Sequence, residues 1–228
     1  MIDAIRHISI FDPDLFAGKR VDVIGAGAIG SRVILALAKL GISNIHVWDF
    51  DTVAAHNIAN QVFGNDDVGK LKVDAVAELV ERQTGTVITK HPVKVEGGEP
   101  LGPVVFVLPD TMDSRKTIFE KSLRYRPSVA LMIEVRMGTD NGRVYAINPC
   151  EPAQVKYWEG TLYTDAEAEV SACGTALSVG ATADVLSGLA TWYLIRWFAY
   201  ASGVADTQAP EWSTIIGLRP NNMLVGAI

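Results

Sequence analysis

The sequence of 228 residues predicts an α/β fold, in which a mainly parallel β-sheet carries helices on both faces and gains antiparallel strands in its C-terminal part. Three observations predict this fold. Short apolar runs alternate with longer segments whose apolar residues recur every three or four positions. A glycine-rich turn joins the first apolar run to a helical segment. After Met137, strand-like runs separated by turns replace this alternation.

The strands and helices of the first two thirds follow from the periodicity of the apolar residues. The predicted strands are Arg20–Ile24, Asn44–Asp49, Val87–Val93, Val104–Pro109, Ser128–Val135 and Gly142–Ile147. The predicted helices between them are Ser31–Leu40, Lys70–Gln83 and Ser114–Tyr125. Strand–helix alternation is typical of a parallel sheet with helices on both faces.

The C-terminal third has a different pattern. The stretch GTDNGR (138–143) predicts a hairpin-like turn between two strands. Residues 149–172 are polar and aperiodic, so we expect a long loop, which in a compact domain usually has a function or is mobile. A long helix is predicted from about Gly174 to Ala199, and a last strand at Trp212–Leu218.

Composition excludes several classes of protein. A net charge of −6 argues against nucleic-acid binding, because phosphate recognition needs clustered Lys and Arg. The apolar stretch at 176–200 is interrupted by charges and favours a buried helix over a membrane span. Two cysteines without a CxxC motif form no disulfide framework, and no structural zinc is expected. We therefore expect one domain over residues 1–228, in the cytoplasm and without a targeting segment.

A glycine turn, Gly25, Gly27 and Gly30, lies between the first strand and the first long helix. Such glycines let the backbone approach phosphates, and the helix that follows offers free N–H groups. Asp49 ends the next strand, where an acid accepts hydrogen bonds from ribose hydroxyls. This Rossmann-like start would serve NAD, FAD, S-adenosylmethionine or ATP, or would simply be a tight turn in an ordinary α/β fold.

The sequence after Asp49 narrows these alternatives. It reads DFDTV at 49–53, HNIANQ at 56–61 and VGKLKV at 68–73, and Asp110 and Arg115 follow the fourth strand. These motifs resemble the ThiF/MoeB/HesA family, the ubiquitin-activating-enzyme-like adenylyltransferases. The family pattern is roughly D-x-D-x-V, N-L-x-R-Q, G-x-x-K and T-D-x-x-x-x-R. The resemblance extends over about residues 5–200.

This resemblance implies a site for ATP and Mg²⁺. Asp49 would hold the ribose hydroxyls, and Asp110 would hold the magnesium ion. Asn57 and Lys72 would contact the phosphates, where cations offset the charge that builds up as a carboxylate attacks the α-phosphate. The other nucleotide-binding residues that the resemblance implies are Gly25, Gly27, Gly30, Asp51, Asn60 and Gln61.

Two further residues gain a role only from the resemblance. Arg6 corresponds to an arginine that reaches into the partner subunit's site, which implies a homodimer. Cys173 begins the predicted long helix, where a helix N-terminus favours the thiolate. Some family members have a cysteine here that bonds covalently to the activated carrier. The structural alternative is a small residue packed at the start of a helix.

One position departs from the family pattern. Asn60 stands where the family has the arginine of N-L-x-R-Q, and losing one such donor can cost roughly 10²–10³-fold in rate. Arg6 of the partner subunit and Lys70 are the candidates to compensate. Otherwise the activity would be weak or absent.

The sequence therefore predicts an enzyme that uses ATP and Mg²⁺ to activate the C-terminal carboxylate of a small ubiquitin-like or sulfur-carrier protein or peptide as an acyl-adenylate. Two alternatives remain open. A weak or inactive nucleotide-binding scaffold would fit Asn60. An NAD-dependent oxidoreductase would explain the glycine turn and Asp49, but gives no task to Asn57, Lys72 and Asp110. Neither nucleic acid nor a membrane is expected as a partner.

Overall fold

The structure is a computed structural model that describes residues 2–165 and 178–226. The strands are β1 (Val21–Ile24), β2 (Ile45–Trp48), β3 (Thr89–His91), β4 (Val104–Val107), β5 (Leu131–Met137), β6 (Asn141–Ile147), β7 (Ser213–Leu218) and β8 (Asn221–Val225). The α-helices are α1 (Pro13–Phe16), α2 (Ala28–Lys39), α3 (Lys72–Thr84), α4 (Met112–Ile118), α5 (Pro152–Glu159) and α6 (Gly180–Ala201). Short 3₁₀ turns lie at Ala55–Asn57 and Asn65–Asp67, and α4 continues as a π-helical turn at Phe119–Leu123.

The strands form a sheet in the order β3-β2-β1-β4-β5-β6-β7-β8. β1 to β5 pair in parallel, and β6, β7 and β8 pair antiparallel. This confirms the predicted α/β class with antiparallel strands added at the C-terminal part. β1 and β4 are neighbours although their connections leave in opposite directions, so a crevice opens at their carboxyl ends.

Each face of the sheet has its own apolar core. On one face, α2, α3 and α6 pack against side chains such as Val23 and Phe106. On the other, α4 and α5 pack against side chains such as Val105 and Val107. β1 and β4 are buried at every residue, as expected for parallel strands between two helical layers.

Local signals explain where the helices near the crevice begin and end. Gly27 is the residue before α2 and makes no side-chain cap, so the first N–H groups of α2 stay open. α3 is followed by Gly85, whose φ of +71° is the left-handed conformation that commonly ends a helix. α6 is 22 residues long and packs against α2, β5 and β6. No helix within the described residues is long and apolar enough to cross a membrane.

The expectation of a continuous loop at 149–172 was wrong, because α5 lies within it. Pro152 occupies the first turn of α5, and Val155 and Trp158 give it a narrow apolar stripe. Trp158 is fully buried, and its indole N–H donates to Glu134 at 2.5 Å. The sequence also gave no sign of β8, whose five residues are all exposed. The part of the predicted long helix before Ser178 lies outside the described residues.

Candidate functional site

The crevice at the carboxyl ends of β1 and β4 brings the predicted glycine turn and the segment that carries Asp110 together. The N–H of Gly25 donates to the carbonyl of Trp48 at 2.8 Å, and the N–H of Leu108 donates to the carbonyl of Ile24 at 2.8 Å. These bonds extend the sheet beyond its strands and align the three chain segments side by side. Ligands in open α/β sheets bind at such a point.

The three glycines of the turn do different things. Gly25 has a φ of +97°, and a β-carbon there would lie 2.5 Å from the carbonyl oxygen of Leu108. A β-carbon at Gly30 would lie 1.8 Å from the carbonyl oxygen of Gly25. At Gly27, by contrast, a β-carbon would meet no described atom within 4 Å. Gly25 and Gly30 thus permit close packing, while Gly27 leaves space open at the start of α2.

Asp49 fastens this turn to the next loop. Its carboxylate accepts the N–H of Ala26 at 2.6 Å and the N–H of Asp51 at 2.8 Å. Burial raises the pKa of Asp49 above its usual value, although both of these hydrogen bonds oppose the rise. The carboxylate therefore has a structural role, beside the ribose contact that the resemblance implies.

Lys72 and Asp51 form an ion pair beside the turn. An antiparallel bridge between Thr52 and Leu71 brings their segments together, and Nζ of Lys72 lies 2.8 Å from Oδ2 of Asp51. Lys72 is 8% exposed, so it is not an ordinary solvated helix lysine. The Asp51 side chain is about half-exposed, and an incoming anion could therefore share the ammonium group with it.

The segment from Asn57 to Gln61 contributes amide groups. Oδ1 of Asn57 accepts the N–H of Ala54 at 2.9 Å and so closes the 3₁₀ turn, while its Nδ2 has no partner among the described residues. Oδ1 of Asn60 and Oε1 of Gln61 are buried without a hydrogen-bond partner within the same part of the chain. Buried polar groups are normally paired, so these oxygens point to an additional ligand or water.

Asp110 is exposed three residues after the end of β4, and no ion pair involves it in the described part of the chain. Its segment is held by Arg115, which is buried. Arg115 donates from Nη2 to the carbonyl of Pro109, and from Nη1 to Glu134 at 2.7 Å and to the carbonyl of Val135 at 2.8 Å. Arg115 therefore positions Pro109, the residue that precedes Asp110.

Glu134 anchors this arrangement from the core. It has no exposed surface and accepts hydrogen bonds from Arg115, Arg136 and Trp158. Burial alone would raise the pKa of Glu134, but the guanidinium groups of Arg115 and Arg136 lower it below its usual value. The carboxylate thus stays ionised inside the protein.

The remaining predicted residues are exposed, are engaged by other side chains, or lie outside the described residues. Arg6 is exposed in a turn near the N-terminus. Lys70, a candidate to compensate for Asn60, is 2.7 Å from Glu78 and 3.1 Å from Asp67 and is thus occupied by two carboxylates. Cys173 lies outside the described residues. Cys150 is half-buried and free.

One cation at the start of α2 was not predicted from the sequence. Arg32, on the second turn of α2, donates to the carbonyl of Asn60 at 2.7 Å. The signal for it was a single charged residue in an otherwise apolar helix start, two positions after Gly30.

The donor set suits a magnesium-bound nucleotide. Carboxylate oxygen is a ligand that Mg²⁺ prefers, and Asp110 offers one that no other described side chain occupies. No cluster of three or more His, Cys, Asp or Glu side chains within residues 2–165 and 178–226 could hold a metal ion by itself. Asp110 would therefore share the ion with phosphate oxygens, as Mg²⁺ sites with few protein ligands do.

Known proteins share parts of this sequence. The NEDD8-activating enzyme E1 catalytic subunit of Arabidopsis thaliana is 34% identical over 107 residues, which are 42% of this chain and 24% of that protein. The probable adenylyltransferase/sulfurtransferase MoeZ of Mycobacterium tuberculosis is 37% identical over 83 residues, 33% of this chain and 21% of MoeZ. The matched parts therefore span about a quarter of these relatives or less.

Solved structures share the fold over almost all of the chain. MccB of E. coli, solved with ATP, has a TM-score of 0.68 at 15% identity, covering 94% of this chain and 65% of that chain. PaaA has a TM-score of 0.68 at 18% identity, covering 99% of this chain and 69% of its own. The sequence pattern of the ThiF family matches residues 14–215. These residues make up most of the 228-residue sequence, and this chain therefore belongs to the ThiF family.

Proposed function

We propose that this protein is an ATP-dependent adenylyltransferase that activates the C-terminal carboxylate of a small ubiquitin-like or sulfur-carrier protein or of a peptide. The observation that carries the proposal is a chain of contacts that links the segments of Gly27, Lys72 and Asp110. Asp49 bonds to Ala26, beside Gly27, and to Asp51, which pairs with Lys72. Gly25 packs against Leu108, two residues before Asp110. Gly27 leaves room for phosphate at the start of α2, Lys72 is a nearly buried cation, and Asp110 is an exposed carboxylate with no ion pair among the described residues. Family membership and relatives named as adenylyltransferases support it.

In the proposed reaction, a carboxylate oxygen of the substrate attacks the α-phosphorus of ATP. A new P–O bond forms, the bond to the bridging oxygen breaks, and pyrophosphate leaves with the electron pair. Lys72 and the N–H groups at the start of α2 offset the negative charge that builds up on the phosphate oxygens. Asp49 and Asn57 orient the nucleotide. Since the substrate carboxylate is already ionised, the step needs no general base.

Magnesium bound at Asp110 would supply charge neutralisation to the leaving pyrophosphate. Arg115 would help to position Asp110 for this magnesium ion, because it binds the carbonyl of the preceding residue, Pro109. The carboxylate of Asp51 keeps Lys72 in place until phosphate arrives.

The proposal includes a homodimer whose sites are completed across the interface by Arg6 of the partner subunit. One observation supports this: Arg6 is exposed, and no ion pair holds it within the described residues. Relatives named for NEDD8 activation, and the structures of MccB with MccA, support a protein or peptide substrate.

A catalytically weak scaffold is the second candidate. Asn60 favours it, because an amide replaces a cation in the family motif and its Oδ1 lies buried without a partner in the described chain. An NAD-dependent oxidoreductase has less support, because it gives no task to the ion pair of Lys72 and Asp51.

Calorimetry followed by pyrophosphate exchange tests the proposal. The protein should bind ATP in the presence of Mg²⁺ more tightly than NAD, and it should exchange pyrophosphate into ATP with a Gly-Gly-ended partner from the same genome. Lys72→Ala should lower exchange by about 10²-fold or more. Lys39→Ala is the matched control, because Lys39 is an exposed lysine at the far end of α2.

Each outcome separates two candidates. ATP binding without exchange for any tested partner would favour the scaffold. Micromolar NAD binding without ATP binding would overturn the nucleotide assignment. Wild-type exchange by the Lys72→Ala variant would show that the phosphates lie elsewhere.

A further inference from the structure

We propose that Arg32 is a phosphate-binding residue of the nucleotide site and supplies there the positive charge that Asn60 cannot supply. This inference rests on the proposed function. Arg32 lies outside the motifs that carry the resemblance.

The Arg32 side chain folds back towards the glycine turn. Its Nη1 donates to the carbonyl of Ala28, the first residue of α2, at 3.0 Å and to the carbonyl of Asn60 at 2.7 Å. Two carbonyls on different segments thus hold one end of the guanidinium group. The cation is therefore fixed beside the end of α2 at which free N–H groups favour phosphate.

The start of α6 lies against the same guanidinium group. A β-carbon at Gly180 would be 3.5 Å from Nη2 of Arg32, 3.3 Å from the carbonyl oxygen of Ala59 and 3.7 Å from Cα of Asn60. Nε of Arg32 donates to the carboxylate of Asp184. Three segments therefore meet at Arg32: the start of α2, residues 59–61 and the start of α6.

These segments carry four of the five buried side-chain polar atoms that lack a hydrogen-bond partner in the described residues. The four are Ser31 Oγ, Asn60 Oδ1, Gln61 Oε1 and Ser178 Oγ. Ser31 has no exposed surface, whereas Asn60, Gln61 and Ser178 are partly exposed residues. A hydroxyl can donate to phosphate oxygen, and an amide oxygen can accept from a ribose hydroxyl or a water. A nucleotide bound here, with its waters, would therefore pair the oxygens of these three residues, which are costly to leave unpaired.

Arg32 also has hydrogen bonds left to give. A guanidinium group has five N–H donors, of which Nε uses one and Nη1 uses two. The two on Nη2 have no partner in the described part of the chain, and a paired donation to phosphate is the geometry that Arg favours.

The counter-ion of Arg32 is easily replaced. The Asp184 side chain is 66% exposed, and a solvent-exposed ion pair contributes little to stability. Lys70, by contrast, is held by Asp67 and Glu78. Of these two cations, Arg32 has the single, more exposed counter-ion, so turning to a phosphate would cost it fewer ion pairs.

Calorimetry with Mg-ATP and with adenosine tests the assignment. Arg32→Gln keeps an amide donor for the carbonyls of Ala28 and Asn60 but loses the charge. It should weaken Mg-ATP by about tenfold or more and leave adenosine binding unchanged, as expected for lost hydrogen bonds to a charged group. Arg32→Lys keeps the charge without the paired donors, so its Mg-ATP affinity should lie between that of wild type and that of Arg32→Gln.

Asp184→Asn is the matched control, because it removes the ion pair but keeps Arg32. If Arg32 binds phosphate, this variant should bind Mg-ATP as tightly as wild type or more tightly. If Arg32 only ties α2 to α6, Arg32→Gln and Asp184→Asn should weaken both ligands alike, and that result would overturn the proposal. Wild-type Mg-ATP affinity in Arg32→Gln would also overturn it.

A rescue experiment tests the link to Asn60. Adding Asn60→Arg to the Arg32→Gln chain should restore Mg-ATP affinity at least in part, because a cation returns to the neighbouring segment. The double variant can match wild type in melting temperature and adenosine affinity and still show no recovery of Mg-ATP affinity. That result would contradict the proposal that Arg32 replaces the charge missing at Asn60. If wild type itself fails to bind Mg-ATP, the proposed function fails, and the role of Arg32 fails with it.

Discussion

Gly30 packs so closely on Gly25 that a β-carbon at position 30 would stand 1.8 Å from the carbonyl oxygen of Gly25. No side chain fits at that distance. Gly27, between them in the sequence, faces open space instead. The fold thus requires glycine at position 30, whereas only a bound ligand would require it at position 27. Substitutions at the two positions can separate these requirements.

Gly27→Val should leave the fold intact and lower the affinity for Mg-ATP by about tenfold or more, because the new side chain would fill the space at the start of α2. Gly30→Ala should destabilise the protein by about 1–3 kcal/mol, since its β-carbon forces the backbone apart. Calorimetry and thermal melting measure the two effects. A Gly27→Val protein that melts normally and binds Mg-ATP like wild type would contradict the placement of the phosphates.

Asp110→Asn should lower pyrophosphate exchange by about 10²-fold while the protein stays folded, because the side chain is exposed and its loss disturbs no ion pair in the described chain. More Mg²⁺ should recover part of the loss if the carboxylate holds the ion. The control is Asp113→Asn, an exposed aspartate three residues along. If both variants lost pyrophosphate exchange equally, the effect would come from the change in net charge and not from a magnesium site at Asp110.

Mixing two inactive variants tests whether sites are shared between subunits. A mixture of Arg6→Ala and Lys72→Ala chains should recover up to about a quarter of wild-type exchange, since one of four random site combinations is intact. Subunit exchange must be shown separately, for example by mass spectrometry of labelled chains. An exchanged mixture that stays inactive would mean that Arg6 acts within its own subunit or has no catalytic role.

Acid should destabilise the protein through Glu134. Arg115 and Arg136 lower the pKa of its buried carboxyl below the ordinary value of 4.5, so the unfolded chain binds this proton more readily than the folded one. The contribution to stability is therefore complete above pH 4.5 and is lost as the pH falls through the pKa of the folded state. Urea denaturation between pH 3 and pH 7, at about half-unit steps, would follow this loss.

Arg115→Ala should cost about 3–5 kcal/mol at neutral pH, because it leaves a buried carboxylate with one arginine fewer. Arg124→Ala is the matched control, since Arg124 forms a partly exposed pair with Glu159 at 3.2 Å, and it should cost at most about 1 kcal/mol. If both substitutions cost the same, the buried network contributes less than its geometry indicates.

The sequence was informative where one local pattern determines one local structure. The apolar runs at β1 and β4 and the glycine turn predicted the parallel core, because complete burial of a strand requires apolar residues throughout. α5 was missed since only Val155 and Trp158 mark its buried side. β8 was missed because an exposed edge strand needs no apolar alternation, and its register is set by pairing with β7.

The limits at the candidate site have the same origin. Motif spacing singled out Lys72 and Asp110, but it could not show that Asp51 pairs with Lys72 across an antiparallel bridge. Nor could it show that Arg32 reaches the carbonyl of Asn60, which lies 28 positions away in the sequence. Contacts between distant segments depend on how the helices are placed on the sheet, and a local pattern does not encode that placement.

The double hydrogen bond of Asp49 has a consequence for the speed of binding. Its carboxylate ties Ala26 to Asp51, so the two loops that would meet the nucleotide are already fastened before it arrives. A ligand that enters a preorganised pocket loses little free energy to loop ordering. Stopped-flow mixing with a fluorescent ATP analogue should accordingly give a single phase whose rate rises linearly with concentration, as in lock-and-key association.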